Sequence, residues 1–194
     1  AGHLRGLSVA ASSYARGEHV TFYQSSAAVK PWSRAHRSAA PAQIRVEHLL
    51  ASSAIPFIFP AQQIATEGHA GWYGDGSMRQ VAPISPAVHL GASRVLVIGA
   101  GRAHEPPDAA LPNPTAYPSL AQVAGHSLSS IFLDTLSADI ERTQRINHTL
   151  SLVPPEARSH SKLRPIELLV ISPSQRLDSL AAQYVAELPP SVRA

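Results

Sequence analysis

Two short apolar stretches near the start of the chain have the composition of strands. Leu7–Ala11 is a compact apolar run, and His19–Tyr23 is rich in β-branched and aromatic residues. The turn-forming residues 15–18 separate them, so we expect two strands joined by a turn. The mixed, basic stretch Lys30–Arg37 is typical of a surface loop.

Helical spacing of apolar residues begins at Ile44. Apolar side chains recur at helical intervals up to Ala54, and Pro56 should end this helix because proline cannot continue it. A second, short helix is expected from Pro83, with proline at its start and Gly91 as its stop signal.

The second half of the chain alternates strand and helix patterns. Arg94–Gly99 and Ile166–Ile171 are apolar runs without alternation, which predicts strands buried on both faces. Residues 120–145 carry a helical stripe between them, and Leu177–Leu188 has the pattern of a final amphipathic helix. Residues 105–118 form a proline-rich loop. We therefore expect one α/β domain over residues 1–194, with a mainly parallel sheet flanked by helices.

Composition narrows the functional classes. Of 194 residues, 44% are hydrophobic and 15% charged, so the chain can form a core and is not of the disordered class. The net charge of +3 includes no run of adjacent lysines or arginines, which argues against nucleic-acid binding. It would suit loose attraction to an anionic membrane surface. No signal peptide or membrane-spanning run is visible, so we expect a cytoplasmic location or one peripheral to a membrane.

Metal and nucleotide chemistry find little support in the sequence. There are no cysteines, and the ten histidines are scattered without a metal-binding spacing. Gly99-Ala100-Gly101 follows a predicted strand, but the third glycine of a dinucleotide fingerprint is missing and two prolines follow. We expect no cofactor and no metal.

Asp75 is the strongest candidate for chemistry. It lies between Gly74 and Gly76, where the backbone can turn sharply and approach another segment closely. Such a placement suits a carboxylate that must reach a nucleophile on another loop. Taken alone, however, Gly-Asp-Gly is equally typical of a tight turn.

Three stretches taken together resemble the patatin-like phospholipase family. They are HLLASSAIPFIFP over His48–Pro60, YGDG over Tyr73–Gly76, and the proline-led helix with the following strand over Pro83–Ile98. The resemblance is strongest from about Val46 to Gly99. It implies a partial patatin-like three-layer fold and a lipid ester as substrate.

The resemblance also implies a Ser-Asp dyad in which Asp75 is the general base. A serine in a G-x-S-x-G elbow would attack the ester carbonyl, and backbone N–H groups of a glycine-rich loop would hold the oxyanion. Asp75 would also accept the proton of the water molecule that hydrolyses the acyl-serine.

The chain departs from that family pattern because it contains no G-x-S-x-G motif. The nearest sequence, Gly125–Ser129, lacks the last glycine and lies in a helical pattern, so Ser127 is not expected to be a nucleophile. Ser52 and Ser53 are expected to support the helix end, although Ser53 could lie near a pocket. The serine should lie upstream of Ala1 or on a companion chain, and residues 1–194 alone should be inactive and poorly soluble.

Two functions remain open from the sequence. The first is the aspartate-bearing part of a lipid acyl hydrolase, with possible membrane contact at its periphery. The alternative is a non-catalytic, truncated module that binds lipid or a protein partner through the same surface. Several residues fit either a lipid site or ordinary structural roles, namely Trp32, Trp72, Tyr73, Arg142, Arg145, Arg158 and Arg164.

Overall fold

The computed structural model describes residues 3–66, 69–99, 117, 120–174 and 184. Within them the chain has a mixed α/β architecture, with a six-stranded sheet and a separate two-stranded sheet. The strands are β1 (Gly6–Ser13), β2 (Glu18–Ser25), β3 (Ser33–Arg34), β4 (Arg37–Pro41), β5 (Gln62–Thr66), β6 (His69–Asp75), β7 (Arg94–Ile98) and β8 (Glu167–Ile171). The helices are α1 (Val46–Ser52), α2 (Ser85–His89), α3 (Leu120–Leu152) and α4 (Pro155–Ser159), and a 3₁₀ turn spans Gly76–Arg79.

The six-stranded sheet has the order β3-β4-β2-β1-β6-β5. Only the β2–β4 pair is parallel, and the other four pairs are antiparallel. The expected mainly parallel arrangement was therefore wrong for this sheet. The physical reason is that β1–β2, β3–β4 and β5–β6 are joined by connections of two to four residues. Such short connections can only reverse the chain, whereas a parallel pair needs a long crossover.

The predicted strand pair at the start of the chain is confirmed as the β1–β2 hairpin. Val9 lies opposite Phe22 and Ala11 opposite Val20. The turn ends at Gly17, whose φ of +59° is a left-handed conformation that glycine adopts without steric cost. Because neighbouring residues of a strand point to opposite faces, Val20 and Phe22 lie on one face while His19, Thr21 and Tyr23 lie on the other.

The core lies on the face of the sheet that carries Phe22. Its fully buried members are Ala11, Val20, Phe22, Ala51 and Ile64. The Phe22 ring makes edge-to-face contacts with His48 of α1, at 4.9 Å between centroids, and with Tyr73 of β6, at 5.3 Å. Helix α1 begins two residues later than Ile44 and ends at Ser52, so the predicted helix before Pro56 is confirmed in a shorter form.

The second sheet pairs β7 with β8 in parallel, and α3 runs between them along the chain. Both strands were predicted, but burial on both faces was wrong. Within the described residues of β7 only Val97 is buried, while Leu96 is 55% and Ile98 74% exposed. A continuous apolar run makes a strand suitable for burial on both faces. It does not tell whether another element packs against each face.

Helix α3 is held to its neighbours by polar side chains. The Asn147 side chain donates to Ile166 O at 2.7 Å and accepts from Ile166 N at 2.9 Å, which fixes the start of β8. The Asp139 carboxylate accepts from Ile84 N at 3.0 Å, next to the start of α2. The predicted α2 is confirmed, and it is followed by Gly91 with a φ of +101°.

Two sequence expectations lie outside the described residues. The proline-rich loop over residues 105–118 is described only at Tyr117, and the final helix over residues 177–188 only at Tyr184.

Phe22→Ala should destabilise the fold strongly, because it removes the ring shared by α1, β2 and β6. We expect the free energy of unfolding to fall by about 3–5 kcal/mol in a denaturant titration. Phe57→Ala is the matched control: this side chain is 101% exposed, so its truncation should change stability by less than about 0.5 kcal/mol. Similar losses in both variants would place the core elsewhere.

Candidate functional site

Asp75 lies at the end of β6, where that strand meets β1. It pairs with Ala11 and is 7% exposed. Its backbone N–H donates to Ala54 O at 3.0 Å, so the loop after α1 lies directly against the Gly-Asp-Gly segment. The structure thus brings together two of the three sequence stretches singled out above.

The Asp75 carboxylate is fixed at one oxygen and free at the other. Oδ1 accepts a hydrogen bond from Ser77 N at 2.8 Å, which caps the 3₁₀ turn. Among the described residues nothing donates to Oδ2. The carboxylate is therefore oriented by the backbone and keeps an oxygen that can accept a proton.

The two glycines beside Asp75 stand in close contact with β1 and its turn. A Cβ at Gly76 would lie 2.5 Å from the carbonyl oxygen of Ala10, a backbone atom. A Cβ at Gly74 would lie 2.5 Å from the Tyr14 hydroxyl, the end of a half-exposed side chain. Glycine is thus required most strictly at position 76, where the neighbouring atom cannot move aside.

His19 supports the Asp75 turn from the neighbouring strand, on the opposite face of the sheet from α1. Its Nδ1–H donates to Gly76 O at 3.2 Å, because a carbonyl can only accept. In the neutral ring Nε2 then accepts from the Thr21 hydroxyl at 3.3 Å. Burial lowers the pKa of His19 below its usual value; the bond to Gly76 opposes this shift and the charge of Arg37 adds to it.

This role of His19 was not predicted from the sequence. Strand β2 contains other polar residues, so His19 does not stand out within it. Only its pairing opposite Ser12 of β1, the strand between β2 and β6, brings it near Gly76.

Two buried polar atoms near this region make no hydrogen bond within the described residues, Ser12 Oγ and His48 Nε2. Ser12 lies opposite Gly74 and is almost fully buried, so its hydroxyl is not open to a substrate. His48 accepts from Arg45 N at its Nδ1, at 3.2 Å, so its proton lies on Nε2.

No serine hydroxyl in the described part of the chain is hydrogen-bonded to Asp75. The Ser53 hydroxyl donates to Leu49 O at 3.0 Å and so supports the helix end, as predicted. Ser127 lies in α3, where its side chain is outside the described residues.

Of the four arginine candidates, Arg142 and Arg145 line one groove, while the aromatic candidates have different surroundings. Tyr73 packs against the core, Trp72 is exposed, and Trp32 stacks on His89. The four arginines contact their own chain: Arg142 pairs with Asp139 and Arg145 with Glu141, while Arg158 donates to Val153 O and Arg164 to Val88 O.

Searches for two other kinds of site were negative over the described ranges. Residues 3–66, 69–99 and 120–174 contain no group of three or more potential metal ligands. In the same ranges no helix combines the length and apolar character needed to cross a membrane. Comparison of the chain with protein-family models, curated proteins and solved structures found no match.

Gly76→Ala should destabilise the fold much more than Gly74→Ala. The methyl group at position 76 must push against the Ala10 backbone, and we expect a loss of about 1–3 kcal/mol in the free energy of unfolding. At position 74 the exposed Tyr14 ring can swing away, so the loss should stay below about 1 kcal/mol. Equal effects in a denaturant titration would contradict the close approach at Gly76.

His19 should make the fold sensitive to mild acid. Because its pKa is lower in the folded state, its contribution is complete above the unfolded value of about 6.5 and is lost as the pH falls through the folded value. His19→Asn keeps an N–H near Nδ1 but cannot gain this charge. Its free energy of unfolding should therefore fall less between about pH 7.5 and pH 5 than that of the wild type. Parallel pH curves for the two proteins would refute this role.

Proposed function

We propose that this chain is the aspartate-bearing part of a lipid acyl hydrolase with a patatin-like three-layer α/β fold. The observation that carries the proposal is the Asp75 carboxylate, buried between two glycines with one oxygen bound to Ser77 N and the other unpartnered in the described residues. The nucleophilic serine comes from a segment outside residues 1–194 or from a companion chain.

The geometry of Asp75 supports a role as general base. The Ser77 N–H and the two glycine contacts hold the carboxylate in one orientation, so little reorganisation is needed when it accepts a proton. A serine Oγ that attacks an ester carbonyl would pass its proton to Oδ2, and the departing alcohol would take it up. Water would then cleave the acyl-serine by the same proton path.

Apolar side chains near Asp75 support a lipid as the substrate. Ala54, whose carbonyl binds Asp75 N, leads into Phe57, Ile58 and Phe59, all of which are exposed. Phe57 also has a φ of +69°, a conformation that costs a non-glycine residue of the order of 1–3 kcal/mol. Exposed apolar residues that begin three positions after Ala54 fit contact with an acyl chain.

The parallel β7–α3–β8 unit supports the fold part of the proposal. In it a helix connects two parallel strands, as in the layered α/β architecture that the resemblance implies. The mostly antiparallel six-stranded sheet contributes the strand that ends at Asp75.

A non-catalytic module is the second candidate, and the exposed apolar face of α1 favours it. Val46, Leu49 and Leu50 are about half exposed or more, and Phe57, Ile58 and Phe59 a few residues later are exposed too. Exposed apolar side chains in such numbers mark a site for lipid or protein contact whether or not catalysis occurs.

Asp75→Asn should strongly reduce ester hydrolysis by the protein purified from its natural source. With a lipid-like nitrophenyl ester, we expect the rate to fall by about 10²–10⁴-fold, the usual contribution of a general base. Asp139→Asn is the matched control, because Asp139 is about as buried as Asp75 but its carboxylate accepts from Ile84 N and Arg142. It should retain most of the activity.

Full activity in Asp75→Asn, or an equal loss in Asp139→Asn, would contradict the proposed dyad. A fluorophosphonate probe, which labels activated serines, locates the nucleophile. Labelling of a serine within residues 1–194 would show that the nucleophile does not come from elsewhere. Binding of vesicles that persists in Asp75→Asn, in a protein without hydrolytic activity, would favour the non-catalytic module.

A further inference from the structure

A second candidate site lies on the face of the six-stranded sheet opposite α1. It is a cleft between strands β2–β4 and helix α2, lined by His19, Arg34, Arg37, Ser38, Ser85 and His89, with Trp32 as a wall. No acidic side chain lines it among the residues that the structure describes. These side chains come from four elements and from positions up to 70 residues apart, so only the folded chain assembles them.

The two arginines of this cleft have no carboxylate partner among the described residues. Arg34 donates only to the neighbouring Ser33 O, at 2.9 Å, and nothing accepts from Arg37. The Arg37 charge acts to lower the pKa of Asp139, but the Asp139 carboxylate already accepts hydrogen bonds from Ile84 N and Arg142. Two unpaired guanidinium groups in one cleft favour an anionic ligand, because their planar donor groups match phosphate and carboxylate oxygens.

A neutral donor and a stacked aromatic wall complete the cleft. The Ser85 hydroxyl makes no hydrogen bond within the described residues, so it can donate to a ligand. Ser38 lines the cleft too, but it is in register with Val20, whose side chain lies on the α1 face. Trp32 stacks on His89, with 4.3 Å between ring centroids and 8° between planes, and on Tyr23 at 5.2 Å. This three-ring stack gives the cleft one rigid side.

The size of the cleft selects a small group. Its volume is about 60 Å³, which corresponds to only a few water molecules. A single tetrahedral oxyanion fits such a space, whereas a whole nucleotide does not. We propose that this cleft binds one phosphate group, held by Arg34 and Arg37 with the Ser85 hydroxyl as a further donor.

The proposed phosphate site is independent of the proposed hydrolase. It lies on the other face of the sheet from α1, and none of its lining residues is Asp75. The two regions share one contact, since His19 lines the cleft and also donates to Gly76 O. Failure of the ester assay would therefore leave the phosphate site untouched, and the reverse also holds.

The test is calorimetric titration of the full chain with inorganic phosphate at low ionic strength. We expect saturable binding of one phosphate, at least about tenfold weaker in Arg34→Met/Arg37→Met, which removes the charge and keeps the apolar stem. Arg5→Met is the matched control, because Arg5 is exposed, lies outside the cleft and makes no side-chain contact in the described part. Its affinity should match the wild type.

Ser85→Asp provides a second variant that leaves both arginines in place. It puts a negative charge at the first residue of α2, where an acidic side chain does not disturb a helix, and it should also abolish phosphate binding. Acetate should bind at least about tenfold more weakly than phosphate, because one carboxylate cannot use all the donors. Equal affinity for acetate, or phosphate binding unchanged in both variants, would overturn the proposal.

Sedimentation with vesicles distinguishes the two sources of a phosphate group. The vesicles are phosphatidylcholine alone or with added phosphatidic acid. Binding to phosphatidic acid that both variants lose would assign the cleft to a lipid headgroup. Saturable binding of inorganic phosphate without vesicle binding would assign it to a small soluble phosphate compound. Binding of neither overturns the proposal.

Discussion

The close approach of Gly76 to the carbonyl of Ala10 is the contact on which the rest of the described structure depends. It ends β6 against β1, so that Asp75 is buried where the two strands meet. The 3₁₀ turn follows directly, and after it the chain reaches the other face of the sheet, where α2 begins. The core on the α1 face and the basic cleft opposite are therefore positioned by one backbone contact that only glycine permits.

The elements that could be predicted from the sequence are those with local signals. The β1–β2 pair has turn residues between apolar runs, and α1 and α2 are bounded by proline or glycine. Strands β5 and β6 were not predicted, because their segment is rich in glycine and polar residues. The direction in which the strands pair was also predicted wrongly. It depends on which strands lie side by side in the sheet, and β6 lies beside β1 although more than fifty residues separate them.

The two candidate sites also differ in whether the sequence could reveal them. Asp75 could be found because the glycines that its position requires are its immediate neighbours in the sequence. The cleft could not be found, because Arg34 and Arg37 have the composition of an ordinary basic surface loop. They form a candidate site only together with Ser85 and His89, some fifty residues away, and because no described residue that lines the same space is acidic. Spacing along the sequence carries no trace of such a grouping.

His19 connects the two regions, yet its charge state need not disturb Asp75. In the neutral ring Nδ1–H donates to Gly76 O and Nε2 accepts from Thr21. When the ring gains a proton both nitrogens donate, and the Thr21 hydroxyl can rotate to accept, so the bond to Gly76 survives. Protonation is opposed by burial and by Arg37, not by the loss of a hydrogen bond. A ligand that neutralises Arg37 would therefore ease protonation of His19 while the turn that holds Asp75 keeps its geometry.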